Sequence, residues 1–81
     1  VNYDITIDKT ALKFINKQPS NEKKRILSAI YRLPEGDVIK MSGKYNLNRL
    51  RVGSYRIIFS VEDEKLLIRI VDAGNRGDVY K

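Results

Sequence analysis

Arg49-Leu50-Arg51-Val52-Gly53-Ser54-Tyr55-Arg56-Ile57-Ile58-Phe59 sets two runs of strand-forming residues on either side of a Gly-Ser pair. Successive side chains of a strand point to opposite faces, so Leu50 and Val52 fall on one side and Arg49 and Arg51 on the other. Gly53-Ser54 has the length and the leading glycine of a type II′ hairpin loop. That register sets Val52 opposite Tyr55 and Arg51 opposite Arg56. One face of the hairpin then carries Leu50, Ile57 and Phe59, and the other carries three guanidiniums. Like charges directly across a strand pair repel, so the arrangement points to a polyanion that neutralises them; a solvated basic face is the alternative. The acid-free region extends beyond the hairpin, since Val38 to Val61 holds two lysines and three arginines and no Asp or Glu.

Downstream, a third strand is expected at about 66–73, after the acidic turn Glu62-Asp63-Glu64. It completes a three-stranded antiparallel meander with the segments at 47–52 and 55–61. Continuing the register puts Ile57, Phe59, Val61, Leu66, Ile68 and Ile70 on the inner face, and Leu67, Arg69 and Val71 on the arginine side. Upstream, residues 2–7 alternate as a strand with Tyr3, Ile5 and Ile7 on one side. Asp8 is placed to cap a helix from Lys9 to Lys17, with Ala11, Leu12 and Ile15 as its apolar stripe. Gln18-Pro19-Ser20 breaks that helix. Ser20 or Asn21 then caps a second one, in which Ile26, Leu27, Ile30 and Leu33 recur at helical spacing and Lys24, Ser28 and Arg32 face water. Pro34-Glu35-Gly36 ends it, and a loop runs through Lys40 and Lys44. The expected architecture is α+β: a strand, an antiparallel helical hairpin and the meander, with both helices on one face of the sheet.

With 81 residues the chain is expected to form one domain, residues 1–81. It has no cysteine, which removes disulfides and thiolate metal sites, and no histidine, which removes paired-imidazole nuclease chemistry and His-rich metal centres. No apolar run is long enough to span a bilayer and no secretory signal pattern opens the chain, so a soluble cytoplasmic protein without membrane contact is expected. The net charge of +6 favours an anionic partner, nucleic acid or an acidic protein. A second cluster closes the chain, Gly74-Asn75-Arg76-Gly77-Asp78-Val79-Tyr80-Lys81. It sets an arginine at the exit of the last strand, beside the basic hairpin in a meander. A surface ion pair for Arg76 and a ring covering the core edge for Tyr80 are the structural alternatives.

These two clusters, with Ala11-Leu12-Lys13-Phe14 and Asp37-Val38-Ile39-Lys40-Met41-Ser42-Gly43 before them, resemble the RelE/ParE superfamily of toxins from bacterial toxin-antitoxin pairs, over essentially the whole chain. The resemblance implies ribosome-dependent cleavage of messenger RNA in the A site. The ribose 2′-hydroxyl would attack the adjacent phosphodiester, with no metal and no cofactor, and a cognate antitoxin would silence the activity. By the same resemblance Arg56 acts on the reacting phosphate, Arg76 stabilises charge and assists the leaving 5′-oxygen, and Tyr80 orients or deprotonates the 2′-hydroxyl. Lys40, Lys44, Arg49 and Arg51 would hold messenger or ribosomal RNA backbone. Asn75 stands where many relatives have histidine or lysine, and Leu47 at a position that is basic in some RNA-cleaving members. Two other functions stay open: the gyrase-inhibiting branch of the superfamily, and a non-catalytic RNA-binding module.

Overall fold

In the computed structural model, which describes residues 3–41 and 46–75, the two halves of the quoted hairpin form adjacent antiparallel strands. These are β3 (Leu47–Val52) and β4 (Tyr55–Glu62), with Val52 opposite Tyr55 and Arg51 opposite Arg56. Gly53 has φ +60 while Ser54 does not enter the left-handed region, the pattern of a type II′ turn. Before them come β1 (Asp4–Ile7), α1 (Lys9–Asn16), α2 (Ser20–Tyr31) and β2 (Val38–Lys40), and after them β5 (Leu67–Asn75). The sheet has the order β1-β5-β4-β3-β2. The meander β3-β4-β5 is antiparallel as expected, and β1 joins it parallel to β5, which makes the sheet mixed.

Both helices lie over one face. Ala11 and Ile15 of α1 and Ile26, Ala29 and Ile30 of α2 are buried with Leu50, Val52, Tyr55, Ile57, Phe59, Ile68 and Ile70 in one apolar cluster. Full burial of a large apolar side chain is worth roughly 1.5–3 kcal/mol, so the eight largest buried side chains, Phe59 among them, dominate stability.

Several expectations are corrected. The segment expected as loop after Asp37 contains β2, a short edge strand that pairs Ile39 with Arg49 and Lys40 with Asn48. Leu12 belongs to the exposed side of α1 rather than to its buried stripe. Asp8 stands at the cap position of α1 but makes no capping bond, because its carboxylate is taken by Arg69. The cap position of α2 is Pro19, whose carbonyl accepts the Lys23 N–H at 2.8 Å. Leu66 is exposed and left-handed (φ 50), closing a 3₁₀ turn at Asp63–Lys65, and its carbonyl accepts the Asp4 N–H.

The last difference shapes the outer face. Ile58 pairs with Asp72 but Phe59 pairs with Ile70, so Val71 is an extra residue bulged out of β5. Strict alternation from Ile68 and Ile70 would turn Asp72 into the core. The bulge instead sends Asp72 outward, turns Ala73 inward opposite Ile57, and puts Gly74 beside Arg56.

Candidate nucleic-acid interface

Tyr55 ties the hairpin to the helical layer and so sets where Arg56 begins. Its ring meets Phe14 edge-on, with centroids 6.0 Å apart, and its hydroxyl donates to Gln18 Oε1 at 3.2 Å. Gln18 is held in turn by donating from Nε2 to the Phe14 carbonyl at 3.0 Å. Burial raises the Tyr55 phenol above its ordinary pKa, the Glu22 carboxylate adds to the rise, and Arg25 opposes it.

On the opposite face the register brings Arg49, Arg51 and Arg56 together. The Arg51 N–H donates away from β4, to the Asp37 carbonyl at 3.0 Å. Arg51 and Arg56 therefore face each other as a non-hydrogen-bonded pair, the kind whose Cα atoms approach to about 4.5 Å. Arg51 Nε donates to Asp37 Oδ2 at 2.9 Å in an exposed ion pair, which offsets part of the repulsion. Arg56 is half-buried and has no ion pair among the described residues. Its neighbour on β5 is Gly74, which presents no side chain. A hollow of about 280 Å³ at the hairpin tip is lined by Arg51, Gly53, Ser54, Tyr55 and Arg56. Two arginines around an open hollow, with Arg49 farther along the same face, suit a phosphodiester, because a guanidinium binds phosphate oxygens through two parallel hydrogen bonds.

The remaining sequence-predicted positions divide. Arg49 is half-buried opposite Ile58, which is itself buried on this outer face and pairs on its other side with Asp72. Lys40 does not join the arginines, since its partner Asn48 shares the face of Leu50 and the helices by alternation. Arg69 shares the outer face but is held in a bidentate pair by Asp8, with two contacts of 3.0 Å. Lys44, Arg76 and Tyr80 lie outside the described residues. The structure follows β5 to Asn75, paired with Tyr55 next to the Gly53-Ser54 turn, and Arg76 is the next residue of the sequence.

Two contributions were not anticipated from sequence. Asp37 restrains Arg51 from just before β2, and no local pattern announces a contact across fourteen positions. Arg25 lies against the hairpin tip, its guanidinium atoms 3.0–3.2 Å from where a Cβ on Gly53 would sit.

No protein-family model matches the chain, and no curated protein matches it. Solved structures do. The archaeal RelE–RelB complex from Pyrococcus horikoshii OT3 contains a chain 31% identical to this one, aligned over 98% of this chain and all of that one, with a TM-score of 0.78. The RelB–RelE antitoxin–toxin complex from Methanococcus jannaschii matches at 27% identity over 85% of this chain and 87% of that one, TM-score 0.67. The toxin–antitoxin complex RelBE2 from Mycobacterium tuberculosis shares the fold at a TM-score of 0.81, with 20% identity over 94% of this chain and all of that one. The identity to the archaeal RelE chain, sustained over nearly the full length of both and carried on the same fold, establishes that this chain belongs to the RelE family of toxins.

Proposed function

We propose that this toxin stops translation by cutting messenger RNA in the ribosomal A site, and that a RelB-type antitoxin silences it by covering or distorting the arginine face. The observation that carries this reading is the opposed pair Arg51 and Arg56 at an open hollow, with Arg56 unpaired among the described residues and bordered by Gly74. A domain of this size keeps a like-charge pair of this kind at a small cost to itself. A phosphate between the two guanidiniums turns that cost into binding.

In the proposed reaction the 2′-oxygen attacks phosphorus in line, the P–O5′ bond breaks, and a 2′,3′-cyclic phosphate and a free 5′-hydroxyl result. The 2′-hydroxyl gives up a proton and the departing 5′-oxygen takes one. Arg56 donates to the non-bridging oxygens, where negative charge grows in the transition state. Arg76 adds charge stabilisation and assists protonation of the leaving oxygen. Tyr80 orients the 2′-hydroxyl and accepts its proton, which requires the phenol to be lowered from its usual value of about 10 by neighbouring cations. Arg49, Arg51 and Lys44 hold the flanking backbone, and Lys40, on the sheet edge, reaches ribosomal RNA.

Single-turnover assays on programmed ribosomes and on the same message free in solution test the proposal. Rapid cleavage in the A site with 5′-hydroxyl ends, and slow cleavage of free message, are expected. Arrest of DNA replication before translation upon induction would point instead to the gyrase-inhibiting branch and overturn it.

A further inference from the structure

The charge of this protein is not where the hairpin suggests. Residues 9–32 hold seven of the sixteen lysines and arginines against one acid, Glu22, so the helical segment alone accounts for the net +6. In the rest of the chain nine basic residues face nine acidic ones. Two of the helical segment's charges, Arg25 in α2 and Arg32 at its C-cap, are seven positions apart and hence about two helical turns apart on one side. Together with Arg51 of β3 they line a groove of about 260 Å³ between α2 and the hairpin, which Ala29, Leu50, Val52 and Gly53 also border. Neither Arg25 nor Arg32 has an ion pair among the described residues. The carboxylate that lines the groove is Asp37, and its Oδ2 is engaged by Arg51 Nε. The groove shares Arg51 and Gly53 with the hollow on the arginine face. The two therefore meet around the hairpin tip, where glycine keeps the way low: Arg25 lies at 3.0 Å from the place a side chain would begin.

We infer that this groove is a second phosphate-binding site, which takes the backbone of an RNA strand as it passes from the arginine face around the hairpin tip onto α2. The inference rests on the reading of the ligand as RNA. Charge complementarity selects that occupant. Three arginines and one already engaged carboxylate line the groove, and the helical segment that flanks it is rich in lysine, a residue depleted from the cores of protein interfaces. Backbone phosphate contacts of this kind position a strand without reading its sequence.

The test is equilibrium binding of a fluorescein-labelled, 2′-O-methylated RNA oligonucleotide, followed by anisotropy from 50 to 150 mM salt. The probe lacks the attacking hydroxyl, so the result does not depend on cleavage. A ribosome assay that shows no scission would refute the nuclease reading and leave this measurement standing. Each phosphate contact on a single strand contributes about 0.7 to the slope of log K against log salt. The double variant Arg25→Gln/Arg32→Gln, with wild-type circular dichroism, is expected to lower the slope by about 1.4, equivalent to losing about fivefold less affinity than wild type over that range. The loss should be uniform across oligonucleotide sequences. Asp37→Asn works in the other direction and is expected to tighten binding. Lys65→Gln, at the far end of β4, removes a charge without touching the groove and should leave the slope unchanged. An unchanged slope in the folded double variant overturns the inference. So does an unchanged slope combined with weakened antitoxin binding, which would assign the groove to a protein partner.

Discussion

Replacing Arg56 with alanine should separate function from folding. Arg56 faces Arg51 directly across the hairpin as a non-hydrogen-bonded pair. Two unit charges about 6 Å apart in a water-like dielectric of about 80 repel by roughly 0.7 kcal/mol. Asp37, at 2.9 Å from Arg51 Nε, offsets part of that. Against the relief stands the lost packing of the half-buried Arg56 stem along the strand, a term of similar size and opposite sign. The net change in unfolding free energy is therefore expected to lie within about 0.5 kcal/mol, the range of ordinary surface substitutions. Activity should behave differently. Removal of one preorganised donor to a developing anion costs about 2.7–4 kcal/mol, a loss of roughly 100- to 1,000-fold. Arg56→Lys keeps the charge but not the planar fork, and should fall between. Urea denaturation gives the first quantity and single-turnover cleavage on programmed ribosomes the second. A loss of more than about 1.5 kcal/mol of stability in Arg56→Ala would make the arginine structural. Cleavage by the variant within threefold of wild type would remove Arg56 from the reaction.

The hairpin turn, the core and two tyrosines are each open to a single substitution. Gly53→Ala places a side chain at φ +60 and should cost about 1–2 kcal/mol; in a domain of this size that is a melting temperature lower by roughly 5–15 °C, measurable by circular dichroism, whereas Ser54→Ala should change little. Phe59→Ala empties the middle of the core and should cost about 3–5 kcal/mol of a total that for 81 residues is about 4–12 kcal/mol; toxicity should vanish together with the protein on an immunoblot, unlike Arg56→Ala, which loses toxicity at normal abundance. Tyr3 and Tyr55 both have phenols raised above the ordinary value of 10.0, Tyr3 chiefly by donating to Asp63 Oδ1 at 2.8 Å. Above that value the unfolded chain has released protons that the native state still holds, so stability should be intact below pH 10 and fall as the pH rises further; Tyr3→Phe should flatten that alkaline decline in thermal melts, and an unaltered decline would remove the assignment.

Much of this molecule is legible in its sequence because its hairpin and helices announce themselves locally. A two-residue alternation broken by Gly53-Ser54 set the pairing of Arg51 with Arg56 and the division of the hairpin into an apolar and a basic face. Helical spacing found Ile15, Ile26 and Ile30, all fully buried. What stayed hidden depends on distant parts of the chain. β2 is three residues long and lies at the sheet edge, too short for a periodic signal. The parallel seat of β1 beside β5 is decided by packing across more than sixty residues. The bulge at Val71 is invisible to a pattern that assumes uniform alternation, yet it decides that glycine rather than alanine flanks Arg56. The charges at 25 and 32 are visible one by one, and helical spacing turns Arg32 to water; that both line one groove with the hairpin follows only from the packing of α2 against β3.

The one-sided architecture bears on how such a small protein would cut RNA. The helices cover the inner face of a single sheet, so among the described residues every buried large side chain except Ile58 belongs to one layer between helices and strands. The arginine face has no second layer of described structure above it, and its hollow is open rather than enclosed. An open surface can supply donors to a phosphate but does little to restrain the torsions of the strand lying on it. In-line attack needs that restraint, and alignment of reacting groups can be worth an effective molarity of about 10⁵–10⁸ M. In the proposed reaction the toxin brings the charge and the ribosome, which already holds the message in a fixed path, brings the alignment. A second phosphate groove around the hairpin tip fits that division of labour. It would fix where the toxin sits along a strand whose shape is imposed by something else, and it would do so through contacts blind to base sequence.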